Sequence, residues 1–311
     1  MTSGIWRSML FIPANSWRMV TRAAEEMQDA VIFDLEDAVP IAEKETARVF
    51  ARDGVPILKQ GDIDVFVRVN SMSTGLTAQD LKYVVTKDLD GIMLPKSETK
   101  EDIVELDKLI TKEETAKKIK PSSIGIMPLL ESPKGVLNAH EVATASKRVC
   151  GLAFGAGDFL RELGEGFAIA RLSPDEYFPT ILYARSQISL AARVSNIPAI
   201  DTPFFGLLTD TEGLIREATR VKLMGFKGKL LIHPRHVEPV NKVFSPSSED
   251  VDFAKQMISA YREAEANGLG ATSFEGRMID YAMVSMGEDL LNRAEAIAKR
   301  QEKRLAYRHQ F

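Results

Sequence analysis

The chain has 311 residues, 45% hydrophobic and 27% charged, with Lys+Arg 40 against Asp+Glu 44 and a formal net charge of −4. That balance lacks the basic footprint of a nucleic-acid binder; a single cysteine, Cys150, excludes a disulfide framework and cysteine-based zinc clusters; and no apolar run approaches the roughly 18 residues of a membrane span. A cytoplasmic globular protein is expected, with either two ordinary domains or one large α/β barrel carrying an appendage.

Taken in chain order, short runs rich in Val, Ile, Leu and Met read as buried strands at Ser8–Pro13, Ala30–Leu35, Asp64–Asn70, Gly91–Pro95, Ser123–Leu130, Val149–Phe154, Pro198–Asp201 and Lys229–Ile232. Near-continuous apolar runs suit parallel strands covered on both faces. Helix signals lie between them. Thr99-Lys-Glu-Asp102 fits a capping box followed by Ile103, Leu106 and Ile110 on one face. Ser173-Pro174 with Glu176 starts a helix expected to reach about Ser195, and Thr209–Met224 and Pro234–Phe244 supply two more. Alternating strands and helices point to a parallel sheet.

The residues at the strand ends decide whether that sheet is open or closed. Glu36, Asn70, Lys96, Glu131, Asp158, Asp201 and His233 follow successive strands at intervals of 26 to 43 residues. Polar groups at the C-terminal end of so many strands are the layout of a TIM (β/α)8 barrel mouth, whereas a doubly wound sheet would gather them at one switch point. The expected barrel covers residues 1–244. Residues 245–311 form a helical appendage: Asp250–Asn267 is an amphipathic helix stopping at Gly268, the stretch through Ser273–Gly276 reads as an ordered loop, and a second helix starts near Met283.

Glu131 and Asp158 follow two successive strands and would project at one rim, a donor pair suited to Mg²⁺; the plainer alternative is that each caps the helix after it. Gly155-Ala-Gly157 is not GxGxxG, because Leu160 stands at the third glycine position. It offers either backbone amides to an anion or a tight turn. Asp34-Leu-Glu36-Asp37 crowds three acids that need a cation or an arginine to answer them. Arg68, inside the apolar run Phe66-Val-Arg-Val-Asn70, is that answer, either as a clamp for a carboxylate ligand or as a purely structural ion pair. His233-Pro-Arg-His236 has no cysteine or HExxH partners for zinc, and neither a GxSxG elbow nor P-loop spacing is present.

Together these segments resemble the citrate lyase β-subunit and malyl-CoA lyase branch of the HpcH/HpaI aldolase superfamily. The resemblance runs through Arg7-Ser-Met-Leu-Phe-Ile-Pro13, Phe33-Asp-Leu-Glu-Asp-Ala-Val39, Val67-Arg-Val-Asn70, Leu94-Pro-Lys96, Leu130-Glu-Ser132, Phe154-Gly-Ala-Gly-Asp158, Ala199-Ile-Asp201 and Met278-Ile-Asp280. It implies a Mg²⁺-dependent carbon–carbon lyase (Mn²⁺ being an alternative metal) that cleaves or forms a 3-hydroxyacyl-CoA thioester, giving acetyl-CoA and a 2-oxo acid. It also implies a homotrimer or hexamer. Carried over, Glu131 and Asp158 are the metal ligands, Arg68 the substrate clamp, Glu36 and Asp37 the supports of metal-bound water, and Asp280 the general acid/base, although position alone reads Asp280 as a helix N-cap. Gly157 falls on the substrate side, and Pro13 and Asn15 beside the CoA moiety. Two departures from the family pattern are Glu131-Ser-Pro133 for Glu-Thr-Ala and Ala14 for Gly. Alternatives are the β-subunit of a multi-subunit citrate lyase acting on an acyl carrier protein, and a non-catalytic barrel with an assembly role.

Overall fold

Eight parallel strands close into a barrel in the computed structural model, which describes residues 4–164 and 171–308. They are β1 Ser8–Pro13, β2 Ala30–Asp34, β3 Asp64–Arg68, β4 Gly91–Leu94, β5 Gly125–Leu130, β6 Leu152–Phe154, β7 Ala199–Asp201 and β8 Gly228–Leu231. Each pairs with its sequence neighbours, and β8 returns to β1 with Lys229 opposite Ser8. All eight lie where the apolar runs predict, with ends shifted by three residues at most.

The helices around it are α1 Trp17–Arg22, α2 Lys44–Gln60, α3 Thr77–Val84, α4 Lys100–Ala116, α5 Pro133–Leu137, α6 Ala139–Thr144, α7 Ala156–Glu162, α8 Pro174–Tyr177, α9 Leu182–Val194, α10 Thr211–Leu223 and α11 Val237–Phe244. Helix α4 begins with the Thr99/Asp102 capping box read from the sequence. The helix expected from Ser173 to about Ser195 is instead three pieces. The Ser173/Glu176 capping box starts the four-residue α8, a 3₁₀ turn spans Phe178–Ile181, and α9 follows. Pro179 is the cause, since it has no N–H to donate and its ring crowds the preceding turn. The departure Ser132-Pro133 also has a local explanation: Ser132 Oγ accepts from Gly135 N (3.0 Å) and Pro133 takes the first position of α5.

Because side chains alternate across a strand, each strand feeds two cores. Met9, Ile32, Phe66, Met93, Met127, Leu129, Ala153, Ile200 and Leu230 fill the barrel interior, with Trp6 edge-on to Phe66 at 5.1 Å. The alternate residues, among them Leu10, Phe33, Val67, Leu130 and Leu231, pack against the helices. One more step along each strand returns the side chain to the interior at the C-terminal end, where Phe11, Asp34, Arg68 and Glu131 stand.

The chain divides into two compact units, Met1–Phe244 and Ser245–Phe311. The second contains α12 Ser248–Ala266 and α13 Tyr281–Arg308, packed on one another through Met257, Ile258, Tyr261, Ile279 and Val284. Between them the expected loop is an antiparallel hairpin, β9 Ala271–Phe274 and β10 Arg277–Asp280. Its two-residue turn, Glu275-Gly276, has φ of +48° and +75°, the pattern of a type I′ turn, in which glycine takes the second position without steric cost. Among the described residues, no helix is long and apolar enough to cross a membrane.

Candidate active site at the barrel mouth

A cavity of about 510 Å³ opens at the C-terminal end of the strands, its lining including the charged Asp34, Asp37, Arg68, Glu131 and Asp158 and the apolar Phe11, Pro203, Phe205, Leu230 and Ile232. The register explains the polar lining: Asp34 on β2 lies directly opposite Arg68 on β3. Arg68 Nε and Nη2 reach the two Asp34 oxygens at 2.7 and 2.5 Å, and Nη1 stands 3.2 Å from Glu36 Oε2. The guanidinium also lies over the Phe11 ring, 4.8 Å from its centre. Burial works against the Arg68 charge, but Asp34 outweighs it and keeps the group firmly protonated. Arg68 is therefore structural toward Asp34 and still borders the cavity. Asp34 in turn accepts from the Glu36 and Ala38 amides (2.8 and 3.2 Å), while Lys44 Nζ binds the carbonyls of Leu35 and Glu36 (2.6 and 2.7 Å). The acidic loop is thus held from both sides.

Glu131 is 4% exposed. Its Oε1 accepts from the Lys96 amide at 2.8 Å, and Gly155 lies so close that a Cβ there would stand 2.7 Å from Oε2 and force the carboxylate aside. Lys96 reaches this position in the left-handed region, φ +52°, a conformation that costs a non-glycine residue stabilisation and often marks a working site. Its Nζ binds Glu36 Oε1 at 2.8 Å. Burial, followed by repulsion from Glu36 and Asp158, pushes the Glu131 carboxyl up to about 8. Burial likewise raises Glu36, partly offset by Arg68 and Lys96. Lys96, outside the sequence-based site, thus contacts two of its residues, Glu131 and Glu36; its place at the end of β4 was the available signal.

Asp158 occupies the first turn of α7, beside Gly157, and is 3.2 Å from Arg161 Nη2 one turn on. It lines the same cavity as Glu131. The residues present fit a hard divalent cation. Glu131 is an enclosed carboxylate repelled by two others, and Glu36 Oε2 is buried without a hydrogen bond. Among the described residues no group of three or more His, Cys, Asp or Glu side chains is arranged to hold a metal ion by itself. Two carboxylates, with water and substrate completing the shell, are the mode Mg²⁺ adopts.

Of the other expected site residues, Asp37, Pro13 and Gly157 line the cavity. Asn15 instead donates to Glu43. Three of the seven strand-end residues serve the scaffold. Asn70 binds Asp80 through its amide and side chain (2.8 and 2.7 Å), and His233 Nδ1 accepts from the Arg235 amide. Asp201, one step past the inward Ile200, points outward and is fully buried between Arg185 and Lys229. In the second unit, Asp280 ends β10 and caps α13, accepting from Met283 N at 3.1 Å.

The sequence profile of the HpcH/HpaI aldolase/citrate lyase family matches residues 7–234. The citrate lyase subunit beta of Haemophilus influenzae is 36% identical over 290 residues, covering 93% of this chain and 97% of its own. The (3S)-malyl-CoA thioesterase of Cereibacter sphaeroides is 32% identical over 293 residues, covering 94% and 96%. Among solved structures, the protein CitE of Mycobacterium tuberculosis, in complex with magnesium, acetoacetate and coenzyme A, is 30% identical with a TM-score of 0.75, covering 95% of this chain and all of its own. A closed eight-stranded barrel, an acidic mouth answered by one strand arginine, and similarity along almost the whole length place this chain in the HpcH/HpaI aldolase/citrate lyase family.

Proposed function

We propose that the protein is a Mg²⁺-dependent carbon–carbon lyase that cleaves, or forms, a 3-hydroxyacyl-CoA thioester such as citramalyl-, malyl- or citryl-CoA. The carrying observation is the enclosed Glu131 carboxylate sharing one cavity with Asp158 and Arg68. Glu131 and Asp158 would hold the metal, Mn²⁺ being an alternative. When bound, it supplies Lewis-acid stabilisation of oxygen charge.

The protein's own groups supply the rest. Arg68 lines the cavity and binds the substrate carboxylate through Nη1, which Asp34 leaves free and which Glu36 approaches at 3.2 Å. Glu36 and Asp37 hold water beside the carboxylate pair. The Gly157 amide, in the first turn of α7 and so without an intrahelical acceptor, donates to the same anion. Pro13, with Asn15 in the loop after it, marks the side given to the CoA moiety. In cleavage the β-hydroxyl proton is removed, the C–C bond pair passes to the thioester α-carbon, and that carbon is protonated to give acetyl-CoA and the 2-oxo acid. Asp280 is the proposed acid/base for the α-carbon proton, and the active form a homotrimer or hexamer.

The test is a substrate panel. Purified protein with Mg²⁺ should release acetyl-CoA from at least one of the three thioesters; release of free CoA without acetyl-CoA would mark thioester hydrolysis instead, and no turnover on any would overturn the reading. The relatives named citrate lyase subunit beta support a second reading, in which only a thioester on an acyl carrier protein is cleaved. Asp280→Asn separates capping from catalysis, because asparagine caps a helix as well as aspartate does. It should leave the melting temperature and Mg²⁺ binding unchanged while lowering kcat about 10²-fold or more. An active variant would move the acid/base elsewhere.

A further inference from the structure

The lyase reading leaves the acid half of the substrate open, and the charge distribution of the cavity bears on it. Among the described residues lining it, Arg68 is the one cation against Asp34, Asp37, Glu131 and Asp158. Further cations beside these acids are already engaged, Lys96 with Glu36 at 2.8 Å, Arg161 with Asp158 at 3.2 Å and Lys44 with the Leu35 and Glu36 carbonyls. Arg68 itself spends two of its nitrogens on Asp34, and the third stands 3.2 Å from Glu36 Oε2. One carboxylate can be answered here, by Arg68, the Gly157 amide and the carboxylate-bound cation; beyond these the lining offers one uncharged hydroxyl, Thr202, whose Oγ1 already accepts from Ala156 N, and otherwise acids and hydrocarbon.

Hydrocarbon is what much of the remaining lining offers. Phe205 stands over the first turn of α7, its ring 3.8 Å from where a Cβ on Gly157 would be, next to Asp158. Leu230, Ile232 and Pro203 also line the cavity, as does Phe11 beneath the Arg68 guanidinium. The ring is held from behind by Tyr177, edge-on at 5.9 Å, whose hydroxyl accepts from the Phe205 amide and donates to Glu217. A carboxylate directed at these apolar groups would lose its water without gaining a partner.

Resting on the lyase reading, we propose that Phe205, in the cavity lining beside Gly157 and Asp158, is a specificity-determining residue that restricts the acid half to 2-oxo monocarboxylates with a small apolar substituent, of which pyruvate is the simplest, and excludes 2-oxo dicarboxylates such as oxaloacetate. A site whose polar groups are matched to one partner discriminates strongly against a ligand that leaves a charge unpaired.

The experiment is equilibrium titration of the Mg²⁺-loaded protein with pyruvate and with freshly prepared oxaloacetate, read by calorimetry and by thermal shift. Pyruvate should bind on the order of thirtyfold more tightly. Phe205→Arg, which sets a cation in the lining, should narrow or reverse that ratio by about tenfold or more; Phe205→Leu, which keeps the position apolar, should retain the preference. Oxaloacetate binding as tightly as pyruvate in the unaltered protein overturns the specificity and leaves the lyase reading standing; binding of neither acid also overturns the specificity, and the lyase reading then stands or falls on the thioester panel alone. An unchanged ratio in folded Phe205→Arg takes the role away from Phe205, and should that variant not fold, loss of the preference in Phe205→Leu does the same.

Discussion

Glu131→Gln is expected to abolish turnover and at the same time to stabilise the metal-free protein. The two effects have one cause. The carboxylate is enclosed at 4% exposure and repelled by Glu36 and Asp158, so its ionised form is costly until a cation answers it. Glutamine keeps the shape and can still accept from the Lys96 amide, but it carries no charge to repel and none to hold Mg²⁺. Loss of even an outer-shell metal partner costs about 10–100-fold, so loss of a direct ligand should lower kcat/KM by about 10²-fold or more. The stability gain depends on pH with a definite sign. In the unfolded chain the group ionises from its ordinary 4.5, whereas in the metal-free fold it stays protonated to about 8. The fold therefore loses stability through this group as pH rises from 4.5 to 8, and the loss is complete above 8. The variant should match the unaltered protein near pH 4.5 and exceed it by several kcal/mol at pH 9 without metal, up to the roughly 5 kcal/mol that a shift from 4.5 to about 8 carries. Added Mg²⁺ should close that gap by stabilising only the unaltered protein, and its affinity should rise with pH until about 8. Thermal melts of both proteins with and without Mg²⁺ across this range check the prediction; a Gln variant less stable than the unaltered protein at pH 9 would mean that the carboxylate is not under repulsion.

The barrel was legible because its signal is repeated eight times and each run is bounded by turn residues or helix starts. Arg68 and Glu131 were legible for a local reason: each lies two residues beyond an inward apolar side chain, Phe66 and Leu129, and so must face the interior. Asp201 looks alike in the sequence and behaves oppositely. In a strand of three residues buried on both faces, Ala199-Ile200-Asp201, no apolar/polar alternation tells inside from outside. The hairpin was hidden because its turn is Glu-Gly rather than the Asn-Gly or Asp-Gly that announces a type I′ turn. Helix α2 lacks a side-chain N-cap and carries Pro56 inside it, so neither start nor interior advertises a helix. Of the site, the sequence showed which side chains were chemically unusual. It could not show that Asp34 takes two of Arg68's nitrogens, that Lys96 adopts a left-handed backbone to bond Glu131, or that Asn15 turns to Glu43. Those depend on register and loop closure.

The outward-facing Asp201 leads to the largest expected effect on stability. Arg185, Asp201, Lys229 and Glu217 form a buried group of two cations and two anions between strands β7 and β8 and helices α9 and α10, all four at 2% exposure or less. Arg185 grips both Asp201 oxygens at 2.8 and 3.0 Å, and Lys229 Nζ bridges Asp201 and Glu217 at 2.5 and 2.7 Å. Burial pushes the Asp201 carboxyl up, but Arg185 and Lys229 outweigh it and hold it below its ordinary range. The group is stable only while its charges balance. Removing one partner leaves an uncompensated buried charge, so Asp201→Leu or Lys229→Met alone should cost about 3–5 kcal/mol. Removing one of each sign leaves Arg185 to face Glu217, already 3.3 Å apart, and restores balance. The double variant Asp201→Leu/Lys229→Met should therefore lose at least about 2 kcal/mol less than the sum of the singles, the coupling expected of residues in one ion-pair network. Denaturant unfolding of the three variants measures the cycle. Additive losses would show that packing, rather than charge balance, holds this side of the barrel together.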